Sequence, residues 1–184
     1  MQSSHNSQDS LYTDAIGAYG AALSRLARAW EADPDARLDL LQEMHLALWR
    51  SFATFDGRCS LRTWIYRVAH NAATSHVMRS RRGKSMTLVS IEEIEESREM
   101  GNLAARSDAN RSFEQTQILD RLYAMIHQLN PLDRQVILLY LEGVDAASIG
   151  EVTGLSCSYV ATKIHRIKAI LTERFHNGGN HDRR

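Results

Sequence analysis

Two prolines in 184 residues constrain this chain more than any other feature. Each follows a side chain that caps helices, in Asp33-Pro34 and in Asn130-Pro131. Proline holds φ near about −65° and has no N–H, so it suits a first helical turn and breaks helix interiors and central strands. A chain with so few prolines and only ten glycines is neither β-rich nor of low complexity. Abundant Leu, Ala, Arg and Glu favour helices, and a 43% hydrophobic content is enough for real cores.

Apolar spacing divides the chain. Leu11, Ala15, Ile16, Tyr19, Leu23, Leu26 and Trp30 predict a helix over 11–30, behind a polar, disordered tail over 1–10. The helix after Pro34 places Leu38, Leu41, His45, Leu48 and Phe52 on its buried stripe, with Asp39, Gln42, Glu43 and Arg50 opposite. Asp56-Gly57 marks a turn, and Ser60 caps a third helix. Its apolar stripe is Leu61, Trp64, Ile65, Val68 and Ala72; its other side carries Arg62, Thr63, Tyr66, Arg67, His70, Asn71 and Thr74. Residues 85–116 have weak periodicity and, with Glu92, Glu93, Glu95, Glu96 and Glu99, read as a flexible acidic linker.

Order returns over 117–176, beginning with Ile118, Leu119, Leu122, Met125, Ile126 and Leu129. Asn130-Pro131-Leu132-Asp133 starts a helix that Gly143 ends, Asp145 caps the next, and Ser156 caps the last. Gly150 is small where two helices cross, Gly154 suits a left-handed turn, and Val160 is apolar where the second helix packs back, which is helix-turn-helix spacing. The expected fold is all-α: two small helical domains, 11–84 and 117–176, joined by the linker, with a second tail at 177–184.

The charge is sorted rather than added. Basic and acidic side chains number 22 each, yet no acid lies between Gly57 and Ile91. That segment holds Arg58, Arg62, Arg67, Arg79, Arg81, Arg82 and Lys84, with Trp64 and Tyr66 among them. Arginine attracts phosphate and an exposed ring stacks on an unpaired base, so a polyanion partner is expected on this surface. Trp64 fits a core position equally well, and His45 reads as a core histidine. Lys163, Arg166 and Lys168 on the last helix suit docking in a major groove.

Other classes find little support. Cys59 and Cys157 lack neighbours at metal-ligand spacing, and His70 with His76 lacks a third ligand, so neither metal nor cofactor is expected. No nucleophile–base grouping or glycine-rich phosphate loop indicates an enzyme. No apolar run approaches ~18 residues and the start is not a signal peptide. A reduced, cytoplasmic setting is the simplest reading, with a redox link between the two cysteines left open.

Three segments follow one pattern in order. Asp39-Leu40-Leu41-Gln42-Glu43, then Phe55-Asp56-Gly57-Arg58 with Leu61 through Asn71, resembles the second conserved region of bacterial sigma factors. Leu129 through Val136, continuing to Ile164-His165-Arg166, resembles the fourth. With no third region between them, the chain is similar to the extracytoplasmic function (ECF) group. The resemblance implies a non-enzymatic initiation factor that binds the beta and beta-prime subunits of core RNA polymerase and directs them to promoter DNA. Asp39, Leu40, Gln42, Glu43 and Trp49 would bind polymerase. Arg58, Arg62, Trp64, Tyr66, Arg67, His70, Asn71, Arg79, Arg81 and Arg82 would read and melt the minus-ten element. Ser156, Ser158, Tyr159, Thr162, Lys163, His165 and Arg166 would read the minus-thirty-five element. An anti-sigma partner is implied too. Ala161 and Lys163 replace residues that are often basic and arginine in the family, which bears on promoter sequence rather than fold. The rival readings are a free-standing helix-turn-helix regulator and a nucleic-acid-processing enzyme.

Overall fold

Both proline-led helices start where the caps demand. The Asp33 carboxylate accepts from the N–H groups of Asp35 (3.1 Å) and Ala36 (2.9 Å), and the Asn130 side chain accepts from the Asp133 N–H (2.9 Å). The computed structural model describes residues 2–81 and 111–179. These are all-α: α1 (Gln2–Trp30), α2 (Pro34–Ser51), a short 3-10 turn (Phe52–Thr54), α3 (Leu61–Arg81), α4 (Arg111–Gln128), α5 (Pro131–Leu141), α6 (Ala146–Thr153) and α7 (Cys157–Gly179). Most of the acidic linker, together with Arg82 and Lys84, lies outside the described residues.

The first half is a bundle of α1, α2 and α3, with α3 packed most extensively on α2. Leu23, Leu26, Leu40, Met44, Leu48 and Ile65 are among its largest fully buried side chains. Two stripes differ from the sequence reading by about one residue of rotation. On α2 the inward row is Leu40-Met44-Leu48, while Leu38 stands 59% exposed. On α3 the inward rows are Ile65-Ala69-Ala73-Val77 and, beside it, Tyr66-His70. The cause is a third neighbour: α3 meets α5 and α6 as well as α1 and α2, so it buries a wider arc than a two-sided helix. Trp64 is half-buried, donating to Ser51 Oγ (2.9 Å) with Phe55 against its ring. His45 is tied to the Tyr12 hydroxyl at 2.8 Å.

The first helix begins at Gln2 rather than near Leu11. Gln8 is buried and donates to the Trp49 carbonyl (2.6 Å), and Asp9 accepts from Trp49 Nε1 (2.8 Å). Polar residues thus continue the helix by hydrogen bonding to α2, a contact that apolar periodicity does not register. Likewise α4 begins at Arg111, before the expected 117, and α7 runs to Gly179.

In the second half, Ile126, Leu129, Ile137, Leu139 and Ile149 are fully buried. The helix-turn-helix follows its expected logic. A Cβ on Gly150 would lie 2.7 Å from the Leu155 carbonyl oxygen, Gly154 sits at φ 79°, and Val160 is wholly buried. The halves also pack on each other: α1 meets α4, and α3 meets α5 and α6.

Burial holds the His70 imidazole down at about 3, against 6.5 for the free group, so it is neutral in the fold. Between those values the unfolded chain binds the extra proton, so stability is complete above pH 6.5 and is lost as pH falls. His127, lowered to about 4 by burial and then by the charge of Arg134, acts in the same direction. Urea midpoints measured across the acid range should therefore fall with pH, and His70→Phe should make that slope shallower. An unchanged slope would remove His70 from the cause.

Candidate nucleic-acid interface

The last helix is built with two faces. Val160, Lys163, Ile167 and Leu171 point inward at helical spacing. Ser158, Tyr159, Thr162, His165 and Arg166 are exposed on the other side, and Ser156, the capping residue, is exposed before them. Ser156 Oγ accepts from the Tyr159 N–H at 3.3 Å, fixing the first turn. The outer face therefore offers hydroxyl, imidazole, phenol and guanidinium groups at the spacing a helix uses to read base edges.

Lys163 is the exception, and its expected place among the readers is corrected. It is buried, with Nζ bonded to the fully buried Asp133 carboxylate and set over the Tyr159 ring. The other Asp133 oxygen accepts from Asn130 Nδ2 at 2.8 Å. The cap of α5 and the middle of α7 are thus joined by one internal ion pair.

The basic face of α3 is not open. Arg62 donates through Nη2 to the Glu142 carbonyl, and Arg67 donates to the Glu151 carbonyl at 3.0 Å. Tyr66 and His70 are buried, which corrects the expectation that they face outward. The Tyr66 hydroxyl lies 3.5 Å from the Glu142 carboxylate; burial, then that negative charge, raises its pKa. His70 packs edge-on against Trp30, and neither its ring nitrogens nor Trp30 Nε1 finds a hydrogen-bond partner among the described residues. Asn71 is exposed, and Arg58 is exposed beside Asp56 (2.8 Å). Arg79 pairs with Glu43, and Arg81 ends the helix.

The acidic face of α2 is partly open. Asp39 and Gln42 are exposed. Glu43 is half-exposed; burial alone would raise its pKa, but bonds from Arg79 and His76 outweigh that and hold it low. Leu40 is wholly buried and belongs to the core, so it is removed from any docking face. Trp49 is half-buried against the start of α1.

Three residues that bind the halves together carry no sequence signal of their own. Glu142 accepts from Arg25 through both carboxylate oxygens at 2.7 Å each, a two-pronged grip that raises the Arg25 pKa. Buried Arg134 donates to the carbonyls of Ile126, His127, Leu129 and Trp30. Such long-range pairs have no local pattern by which to be found. No group of three metal-binding side chains occurs among the described residues, nor any helix long and apolar enough to cross a membrane.

Comparison with known proteins agrees in order and extent. The family described as Sigma-70 region 2 matches residues 15–83, and Sigma-70, region 4 matches 119–171. The chain is 25% identical over 138 residues to the ECF RNA polymerase sigma-E factor of Haemophilus influenzae, covering 74% of this chain and 72% of that one. Two solved structures share the fold. CnrH, in complex with the cytosolic domain of CnrY, aligns with TM-score 0.65 and 18% identity over 96% of this chain and 94% of that one. The sigma factor RpoE, in complex with the anti-sigma factor NepR from Bartonella quintana, aligns with TM-score 0.63 and 15% identity over 88% and 94%.

The internal position of Lys163 makes a direct prediction. Lys163→Ala leaves the Asp133 carboxylate buried without its cation and should cost about 3–5 kcal/mol in chemical denaturation of the second half. A loss below about 1 kcal/mol, the scale of an exposed pair, would return Lys163 to the surface.

Proposed function

The chain belongs to the sigma-70 family, in its extracytoplasmic function group, and from that premise we propose a division of labour among three surfaces. The protein is a promoter-specific transcription initiation factor. The outer face of α7, from Ser156 to Arg166, reads the minus-thirty-five element as duplex. Arg58, Arg62, Trp64, Arg67, Asn71 and the arginines at 79, 81 and 82 engage the minus-ten element as it opens. Asp39 and Gln42, with Glu43 and Trp49 at their border, dock on core RNA polymerase, which performs the chemistry.

One observation carries this reading: a single chain pairs a helix-turn-helix whose polar face is open with a separate arginine- and ring-bearing helix. Duplex readout needs donors at groove depth. Strand opening needs compensation for lost stacking, and an aromatic platform contributes about 1–3 kcal/mol per base. A regulator that binds only duplex has no use for the arginines that α3 adds to its core-forming rows. An inhibitory protein partner is proposed as well, supported by the two neighbouring structures, each of which holds a bound protein.

Asp39→Arg with Gln42→Arg reverses the exposed polar face of α2 without touching its core row. Core polymerase capture should fall by more than about tenfold, or ~1.4 kcal/mol, at an unchanged melting temperature. Undiminished capture would remove α2 as the docking face. Arg166→Ala should weaken binding to a promoter duplex by ~1–3 kcal/mol if it grips a guanine edge. An identical footprint for the variant would show that Arg166 makes no such contact.

A further inference from the structure

Among the arginines assigned to the minus-ten strand, Arg62 and Arg67 are occupied by carbonyls of the second half. Glu142, in the turn between α5 and α6, sits beside Arg62 with its side chain only 15% exposed. Its carboxylate takes both prongs of the Arg25 guanidinium, and its carbonyl takes Arg62. Tyr66 borders the same group, and Arg62 lies 5.9 Å from the Tyr66 ring. Gly143, at φ 71°, turns the chain so closely that its Cβ position is 3.8 Å from Arg62 Nη2.

A carboxylate held by an arginine fork, with a further guanidinium and a phenol beside it, has the donor set that would hold a phosphodiester. We propose that Arg25, Arg62 and Tyr66 form a phosphate site for the DNA strand, and that Glu142 fills it as an internal substitute while the chain is free. The proposal rests on the initiation-factor reading and adds to it a residue of α1, Arg25, and a competitor within the chain itself. The two DNA-binding surfaces then differ in the free protein: the duplex-reading face of α7 is open, whereas the single-strand site on α3 is shut.

A second observation indicates that this closed packing is provisional. Trp30 lies between Arg134, whose guanidinium is 5.1 Å from its ring, and His70, whose ring is 5.9 Å away. The Trp30 indole N–H and both His70 nitrogens are buried without partners among the described residues. Unsatisfied polar groups weaken a packed contact. The pairs that hold it, Arg25 with Glu142 and Arg28 with Asp120, are half-exposed on at least one side and so are screened by salt.

The test uses the full chain and a labelled single-stranded DNA of minus-ten length, without polymerase. Glu142→Gln keeps the side-chain shape and removes the charge. Its affinity for the strand should exceed that of the natural chain by roughly tenfold at low salt, as expected when a competing anion is withdrawn. A spin-label pair on α3 and α7 should show the halves moving apart in the same variant. Adding Arg25→Gln to Glu142→Gln should give back much of the gained affinity. Equal strand binding by the natural chain and Glu142→Gln, or a double variant that binds as tightly as the single one, overturns the proposal. Transcription with core polymerase separates the two levels. If the natural chain starts transcripts while Glu142→Gln binds DNA no better, only the internal competition fails. If the natural chain starts none from a promoter library, the initiation-factor reading fails first.

Discussion

The buried guanidinium of Arg134 is the constraint on which the arrangement of the two halves depends. An arginine without water must have its donors met, and here three carbonyls at the end of α4 and one at the end of α1 meet them. The same group lies over the Trp30 ring. One cation therefore fixes the tight α4–α5 turn and ties it to the last residue of α1. From there the geometry propagates. α5 leads into the Glu142 turn, the turn meets α1 and α3, and the helix-turn-helix is presented with α6 against α3 and the outer face of α7 to solvent.

Electrostatics act in two distinct ways in this molecule. The Lys163–Asp133 pair is sealed inside one unit, where salt screens it far less than an exposed pair. The pairs between the units lie near the surface, where counterions weaken them. Rigidity is thus concentrated within each half, and adjustability between them. A factor that engages duplex, separated strands and a large enzyme in turn needs stiff reading surfaces on a frame that can be rearranged.

Much of this was legible in the residues. Asp33-Pro34 and Asn130-Pro131 set two helix starts, and Gly150, Gly154 and Val160 defined the helix-turn-helix, because each acts through local backbone chemistry. What the sequence hid depends on third neighbours. Leu40 and Met44 face the core while Leu38 does not and Leu41 packs only at its edge, because the inward direction of α2 is set by α1 and α3 together. Tyr66 and His70 looked like reading groups and are buried, Tyr66 beside Glu142 of the second half and His70 against Trp30 of α1. Lys163 looked like a groove donor, yet a buried acid thirty residues earlier draws it inside. The polar start of α1 looked like a tail, since Gln8 and Asp9 act through hydrogen bonds to Trp49 rather than through apolar spacing.

The two-faced build of α7 has a consequence for engineering. Val160, Lys163 and Ile167 carry the packing, and Gly150 sets how closely the preceding helix crosses. Ser158, Thr162, His165 and Arg166 are exposed, as is Tyr159, whose ring lies under Lys163 Nζ. If the outer face of α7 reads duplex as proposed, base preference and folding are written on separate letters of the same helix. A combinatorial library varied at the outer five, with the inner three and Gly150 held constant, samples new DNA targets on an intact scaffold.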